Sequence, residues 1–132
     1  MAETAIQFIN EMPATRTFGM RVTSADEGRA TAELPFQEAL CFDTGEATVL
    51  HGAATFALAD NAGAAAMISH FSDPQPAYTI DLRIDYLDAA RTDLTAEADV
   101  RRFGSVVGVA DIVVEDVNGT AVAIARGTYR SA

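Results

Sequence analysis

Apolar positions change their spacing several times along the chain, and each change marks a structural element. Over residues 2 to 12, Ile6, Phe8, Ile9 and Met12 fall near helical spacing, and Pro13 is expected to stop the helix. Between 18 and 36, two apolar-polar alternating segments flank Ala25-Asp26-Glu27-Gly28, where Glu27-Gly28 can supply a tight turn, so a β-hairpin is expected. Residues 37 to 50 lack a clear period and read as a loop, a candidate pocket wall beside the element that follows.

From Gly52 to about His70 the sequence GAATFALADNAGAAAMISH holds eight alanines and has apolar residues on every side, which predicts a helix buried all round. Asp73-Pro74-Gln75-Pro76 breaks the pattern. Four segments rich in β-branched residues then run at about 77 to 88, 92 to 102, 105 to 116 and 119 to 130. Turn signals at Ala90-Arg91-Thr92-Asp93, Phe103-Gly104 and Asn118-Gly119 separate them. The connections are too short for parallel crossovers. The order therefore predicts one α+β domain over residues 1–132, an antiparallel sheet of about six strands wrapped around a long central helix.

Composition narrows the function classes. The 132 residues suffice for one core and are too few for two. Although 49% of them are hydrophobic, no run approaches the roughly 20 apolar residues of a membrane span. A net charge of -10 opposes general attraction to nucleic acid or an anionic membrane. All nine cations are arginines, so Schiff-base chemistry, which needs a lysine amine, is excluded, whereas phosphate can still be gripped. Residues 1 to 6 show no basic region leading into an apolar one, and the single Cys41 cannot form an internal disulfide. Together these lead to the expectation of a reducing cytoplasm.

Chemistry concentrates at the central helix. Asp60 places a carboxylate in the middle of a helix with almost nothing else polar on it, and burying an unpaired charge is expensive. Two readings follow: a reactive carboxylate, or a structural one satisfied by a backbone group or an arginine. At the start of the helix the first amides lack intrahelical acceptors, and Gly52 allows close approach to them. Such an amide can hold the oxyanion of an acyl-transfer intermediate while a carboxylate activates water or attacks. His51-Gly52 can equally be a plain loop-to-helix junction.

His51-Gly52 followed by Leu58-Ala59-Asp60, with the acid nine residues after the histidine, resembles the signature of hotdog-fold acyl-CoA thioesterases of the phenylacetate-degradation (PaaI-like) family. The likeness extends through Tyr78-Thr79-Ile80-Asp81-Leu82-Arg83-Ile84-Asp85-Tyr86-Leu87, Leu94-Thr95-Ala96-Glu97-Ala98, Arg102-Phe103-Gly104-Ser105 and Ala123-Ile124-Ala125-Arg126-Gly127-Thr128, covering roughly residues 15 to 130. It implies hydrolysis of an acyl-CoA or related thioester, without metal or redox cofactor. It implies Gly52 as oxyanion amide, Asp60 as general base or nucleophile, and Thr79 as a hydroxyl that positions water. His51 is read first as shaping the helix start and second as a direct participant. Two positions depart from the pattern: Ala53 replaces the second glycine of His-Gly-Gly, and Gly45 stands where an asparagine is common. Asp43 and Glu46 are the nearby candidates to replace that asparagine.

Gly52 and Asp60 lie eight residues apart, about 12 Å of helical rise. A reacting carbonyl must lie about 3 Å from both its oxyanion donor and its base, so one helix can hardly serve one carbonyl with both groups. Two antiparallel helices about a two-fold would, and the resemblance implies the same: a homodimer with two shared sites, and a dimer of dimers as the larger assembly.

Arg91, Arg101 and Arg102 are candidate grips for the CoA phosphates. Asn61, Phe56, Tyr78, Gly104 and Ser105 are placed on the substrate side, and Met67 is a further candidate pocket liner. Rival chemistries fare worse. His51 and His70, about 28 Å apart along one helix, cannot share an ion within one chain, and no Gly-x-Ser-x-Gly elbow exists. The alternatives are a non-catalytic acyl-CoA binding module, which Gly45 favours, and an enoyl-CoA hydratase, which lacks a histidine partner for Asp60 in sequence.

Overall fold

Among the residues described in this computed structural model, 2 to 73 and 75 to 131, the chain forms three α-helices and eight strands. Pro74 of the expected break lies outside them. Helix α1 (Ala2–Asn10) is tied to the following strand by Asn10, whose Oδ1 accepts the Val22 amide at 2.7 Å and whose Nδ2 donates to the Val22 carbonyl at 2.9 Å. Pro13 does not simply stop the chain. It opens a second short helix, α2 (Pro13–Phe18), because a proline at a helix start gives up an amide that would be unpaired there anyway.

Strands β1 (Arg21–Asp26) and β2 (Arg29–Leu34) form the expected hairpin. Glu27 (φ 47°) and Gly28 (φ 80°) both take left-handed backbone, the requirement of a two-residue turn matched to strand twist. The segment read as a loop is instead ordered: a single 3-10 turn at Glu38–Leu40, then a small hairpin of β3 (Cys41–Asp43) and β4 (Thr48–Leu50). Three residues per strand are too few for an alternation to show. The turn between them is held by side-chain acceptors, Asp43 Oδ1 for the Gly45 amide at 2.8 Å and Thr44 Oγ1 for the Ala47 amide at 3.0 Å.

Helix α3 (Gly52–Ile68) is followed by β5 (Thr79–Tyr86), β6 (Leu94–Phe103), β7 (Val107–Glu115) and β8 (Ala121–Arg130). The main sheet runs β1-β2-β6-β7-β8-β5, and every neighbouring pair is antiparallel. This sheet around α3 is the hotdog arrangement. β5 pairs with β8 and not with the β6 that follows it, which makes it an edge strand.

Alternation places Ala32, Ala96, Ala98, Ala110 and Ile112 on the inner face, all buried in one cluster with Leu58, Ala62, Ala65 and Met67 of α3. Small residues on both surfaces let helix and sheet approach closely, and each large buried side chain such as Leu58 or Ile68 contributes about 1.5–3 kcal/mol. The expectation that α3 is buried all round holds for its C-terminal half only. Toward the N-terminus, Ala53 and Phe56 are exposed and Ala57 and Asp60 half-buried, spaced as one face of the helix. Among the described residues no helix is long and apolar enough to cross a membrane.

Candidate active site

Edge strand β5 runs past the open half of α3 in the opposite direction and fastens it at two points. Near its beginning, Thr79 Oγ1 donates to Asp60 Oδ1 at 2.7 Å. At its end, Tyr86 Oη donates to the Gly52 carbonyl at 2.9 Å. The two groups singled out by spacing are thus each held by the same strand.

The Asp60 end combines a half-buried carboxylate with an apolar hollow of about 210 Å³ that extends between α3 and α1. Thr79, by bonding Oδ1, orients the carboxylate and leaves Oδ2 as an acceptor. Beneath it, the fully buried Tyr129 directs its hydroxyl toward the Asp60 carbonyl oxygen at 3.4 Å. Burial, and secondarily the Asp60 charge, pushes the Tyr129 phenol well above its ordinary range, so it stays protonated. Tyr78 and Asn61 also line this hollow. The Asn61 amide is already committed to the buried Thr15, donating to its Oγ1 at 2.9 Å, and so ties α3 to α2.

The Gly52 end is built differently. His51 is the N-cap of α3: its Nδ1 accepts the Ala53 amide at 2.9 Å, while its carbonyl accepts the Ala54 amide at 2.9 Å. An Nδ1 that accepts requires the neutral ring with its proton on Nε2. These bonds consume the second and third amides of the helix. Among the described residues the Gly52 N–H has no acceptor, so the helix start offers one free donor in a positive field. Around it lies a second cavity of about 320 Å³, lined by Phe42, Thr44, Thr55, Tyr86 and Arg91 among others. A Cβ on Gly52 would sit 3.1 Å from the Tyr86 ring, a close approach that favours glycine.

Phe42 and Thr44 line this cavity, and Asp43 and Glu46 are not among its walls. Asp43, one of the two acids considered in place of the family asparagine, uses its Oδ1 to accept the Gly45 amide in its own turn. Gly45, at φ 92° with open space where a Cβ would project, lies at the tip of the hairpin.

The remaining candidates separate into three places. Arg91 joins the Gly52 cavity. Gly104 and Ser105 form part of the β6–β7 turn and line a further hollow with His70 and Phe103, whose rings stack at 4.9 Å near the C-terminal end of α3. Arg102 is exposed next to that turn. Arg101 is on the outer sheet face, where its Nε meets Asp111 at 3.0 Å and Arg126 Nε meets the other Asp111 oxygen. The Arg126 hydrogen bond first, aided by Arg101, holds the Asp111 carboxyl below its ordinary range against the opposing effect of burial. Phe56 stands on the open face of α3, and Met67 belongs to the core. Among the described residues no three metal-binding side chains converge.

Sequence reasoning missed Tyr86 and Tyr129. A signal for the second existed: Gly63 in mid-helix and Gly127 in mid-strand are unfavourable choices unless something approaches closely. A Cβ at either position would collide with the Tyr129 hydroxyl.

Comparison with known proteins bears on this geometry. The sequence profile of the thioesterase superfamily matches residues 47–123, from just before β4 through α3 into β8. A protein of Halobacterium salinarum, provisionally named an esterase, is 40% identical over 121 residues, covering 85% of this chain and 80% of its own. The X-ray structure of a thioesterase-superfamily protein superimposes with a TM-score of 0.88 at 32% identity, over 97% of this chain and 96% of that one. The PaaI protein of the E. coli phenylacetic acid degradation operon does so with a TM-score of 0.84 at 28% identity, over 97% and 93%.

Proposed function

The chain belongs to the thioesterase superfamily, whose reaction is thioester hydrolysis, and from that premise we propose that it is a PaaI-like acyl-CoA thioesterase acting as a homodimer. Each site combines Asp60 and Thr79 of one chain with the Gly52 amide of the other. One observation carries this reading: the free amide and the carboxylate share a helix yet open into separate cavities, with an uncovered face of Ala53, Phe56 and Ala57 between them. Ile80 and Leu87, on and just after edge strand β5, are further exposed apolar side chains, at 56% and 55%. A second copy packed antiparallel across the face covers it and brings each Gly52 to the partner's Asp60.

In the reaction, the thioester carbonyl oxygen receives the Gly52 N–H as charge develops on it. Along one route Asp60 Oδ2 takes a proton from water as the water oxygen attacks the carbonyl carbon. Along the other Asp60 attacks directly, and the resulting anhydride is hydrolysed. Both break the carbon–sulfur bond and release a carboxylate and a thiol. Single turnover in labelled water separates them, since only the second puts label into Asp60. Arg91 beside the Gly52 cavity and Arg102 at the β6–β7 turn are the cations assigned to the CoA phosphates. Arg101, paired with Asp111, is the least available of the three. The reaction as proposed uses no cofactor, and we place it in the cytoplasm, with a dimer of dimers as the full assembly.

Complementation tests the shared site. Asp60→Asn and Gly52→Val chains are each expected to be inactive as homodimers. In a mixed dimer one site receives both defects and the other neither, so purified heterodimers should recover about half the parental activity. No recovery from folded heterodimers would require both groups to act within one chain.

A further inference from the structure

The hollow behind Asp60 has a composition unlike that of the Gly52 cavity. Asp60, Ala64 and Ile68, four residues apart, form its α3 wall. Phe8 of α1 and Met12, in the link between α1 and α2, form the wall across from them, and Tyr78 closes a further side. Only at the Asp60–Thr79 rim does this combination present charge, whereas Thr44, Asp88 and Arg91 border the other cavity. A thioester held with its carbonyl at Asp60 extends two arms of opposite character. The apolar arm gains by entering the hollow between α1 and α3, and the polar thiol arm by leaving toward the Gly52 side.

We propose that α1 and α3 form an acyl-selecting pocket in which Ala64 sets the depth and Phe8 and Met12 set the width, limiting substrates to acyl groups of about one ring or eight carbons. This rests on the thioesterase reading for the position of the carbonyl. The size follows from the volume: an apolar cavity of about 150 Å³ holds benzene, and this one, at about 210 Å³, admits one or two atoms more. Ala64 is 7% exposed, so a larger side chain there projects into the hollow rather than into solvent.

The test separates binding from turnover. S-alkyl-CoA thioethers from methyl to dodecyl, which cannot be hydrolysed, are titrated by calorimetry into the parent protein, Ala64→Val, Phe8→Ala and Met12→Ala. In the parent each added methylene should tighten binding about fourfold until the pocket is full near eight carbons, after which affinity levels. Ala64→Val should move that break at least one carbon shorter, and Phe8→Ala and Met12→Ala should move it longer, with methyl-CoA bound equally by all. Agreement on methyl-CoA shows that a variant is folded, and the two enlarging variants keep the test alive if Ala64→Val is not. A profile without a break, or a break at the same length in every folded variant, overturns the pocket. Release of free thiol from the matching acyl-CoA series is read separately. Binding breaks that shift without any thiol release would sink hydrolysis and leave the pocket standing.

Discussion

The two halves of α3 are alike in composition and opposite in surroundings. From Ala62 to Ile68 every residue is buried, with the sheet on one side and α1 and α2 reaching the other through Phe8, Met12 and the Thr15–Asn61 hydrogen bond. From Ala53 to Asp60 the sheet covers one side, and a face of Ala53, Phe56, Ala57 and Asp60 remains open. An alanine-rich helix is therefore not core by virtue of its residues. A second covering layer makes it core, and here the uncovered half carries both the free amide and the carboxylate.

The most severe way to break that contrast is Asp60→Asn. The amide keeps the shape and can still accept from Thr79, but it neither takes a proton nor attacks, so turnover should fall by about a hundredfold or more. Assayed on an acyl-CoA panel, activity within threefold of the parent would remove the open half from the chemistry. Replacing Thr79 by Ala leaves the carboxylate present but unoriented and should cost less, about fivefold to tenfold for one lost hydrogen bond.

A matched pair of substitutions sharpens the difference between core and interface. Ala65→Leu in the buried half overpacks the helix–sheet contact and should destabilise the fold by about 1–3 kcal/mol in denaturant melts. Phe56→Glu in the open half should leave the unfolding of the single chain nearly unchanged while shifting sedimentation toward monomer and abolishing turnover. If Phe56→Glu instead unfolds the chain, or leaves both mass and activity intact, the open face is not an interface between copies.

The smallest effect is expected on the outer sheet face, where Arg101, Asp111 and Arg126 pair with one another. Because the folded Asp111 carboxyl is held below its ordinary value of 3.8, its contribution to stability is present above that value and is lost as pH falls through the folded value. Asp111→Asn should thus lower stability modestly at neutral pH, with the difference from the parent vanishing in acid, and turnover unchanged. A difference that grows in acid would contradict the assigned pairing.

Much of the architecture was legible because it is local. The alternation of β6, β7 and β8, the Glu27-Gly28 turn and the long apolar run of α3 each express which side of a short segment avoids water, and a handful of neighbouring residues determines that. The spacing of Gly52 and Asp60 was equally fixed, because a helix converts sequence separation into distance. Where the pattern was too short, reading failed: three-residue strands left the β3–β4 hairpin invisible, and Pro13 does not by itself distinguish the end of one helix from the start of another.

What the chain alone determined, then, is which segments become helix or strand and how far apart the amide and the carboxylate must sit. The tertiary structure decided the company they keep. It chose β8 over β6 as the partner of β5, so that one edge strand brings Thr79 to Asp60 and Tyr86 to Gly52. It spent the Ala53 amide on His51 and left the Gly52 amide free, and it set Tyr129 under a helix 69 residues away through two glycines that make room. It also folded α1 back to enclose the hollow behind Asp60. The physical reason is that partner choice among segments of similar pattern turns on the free energy of the whole packed assembly, in which distant residues must fit together at crystal-like density, and no local window contains that sum.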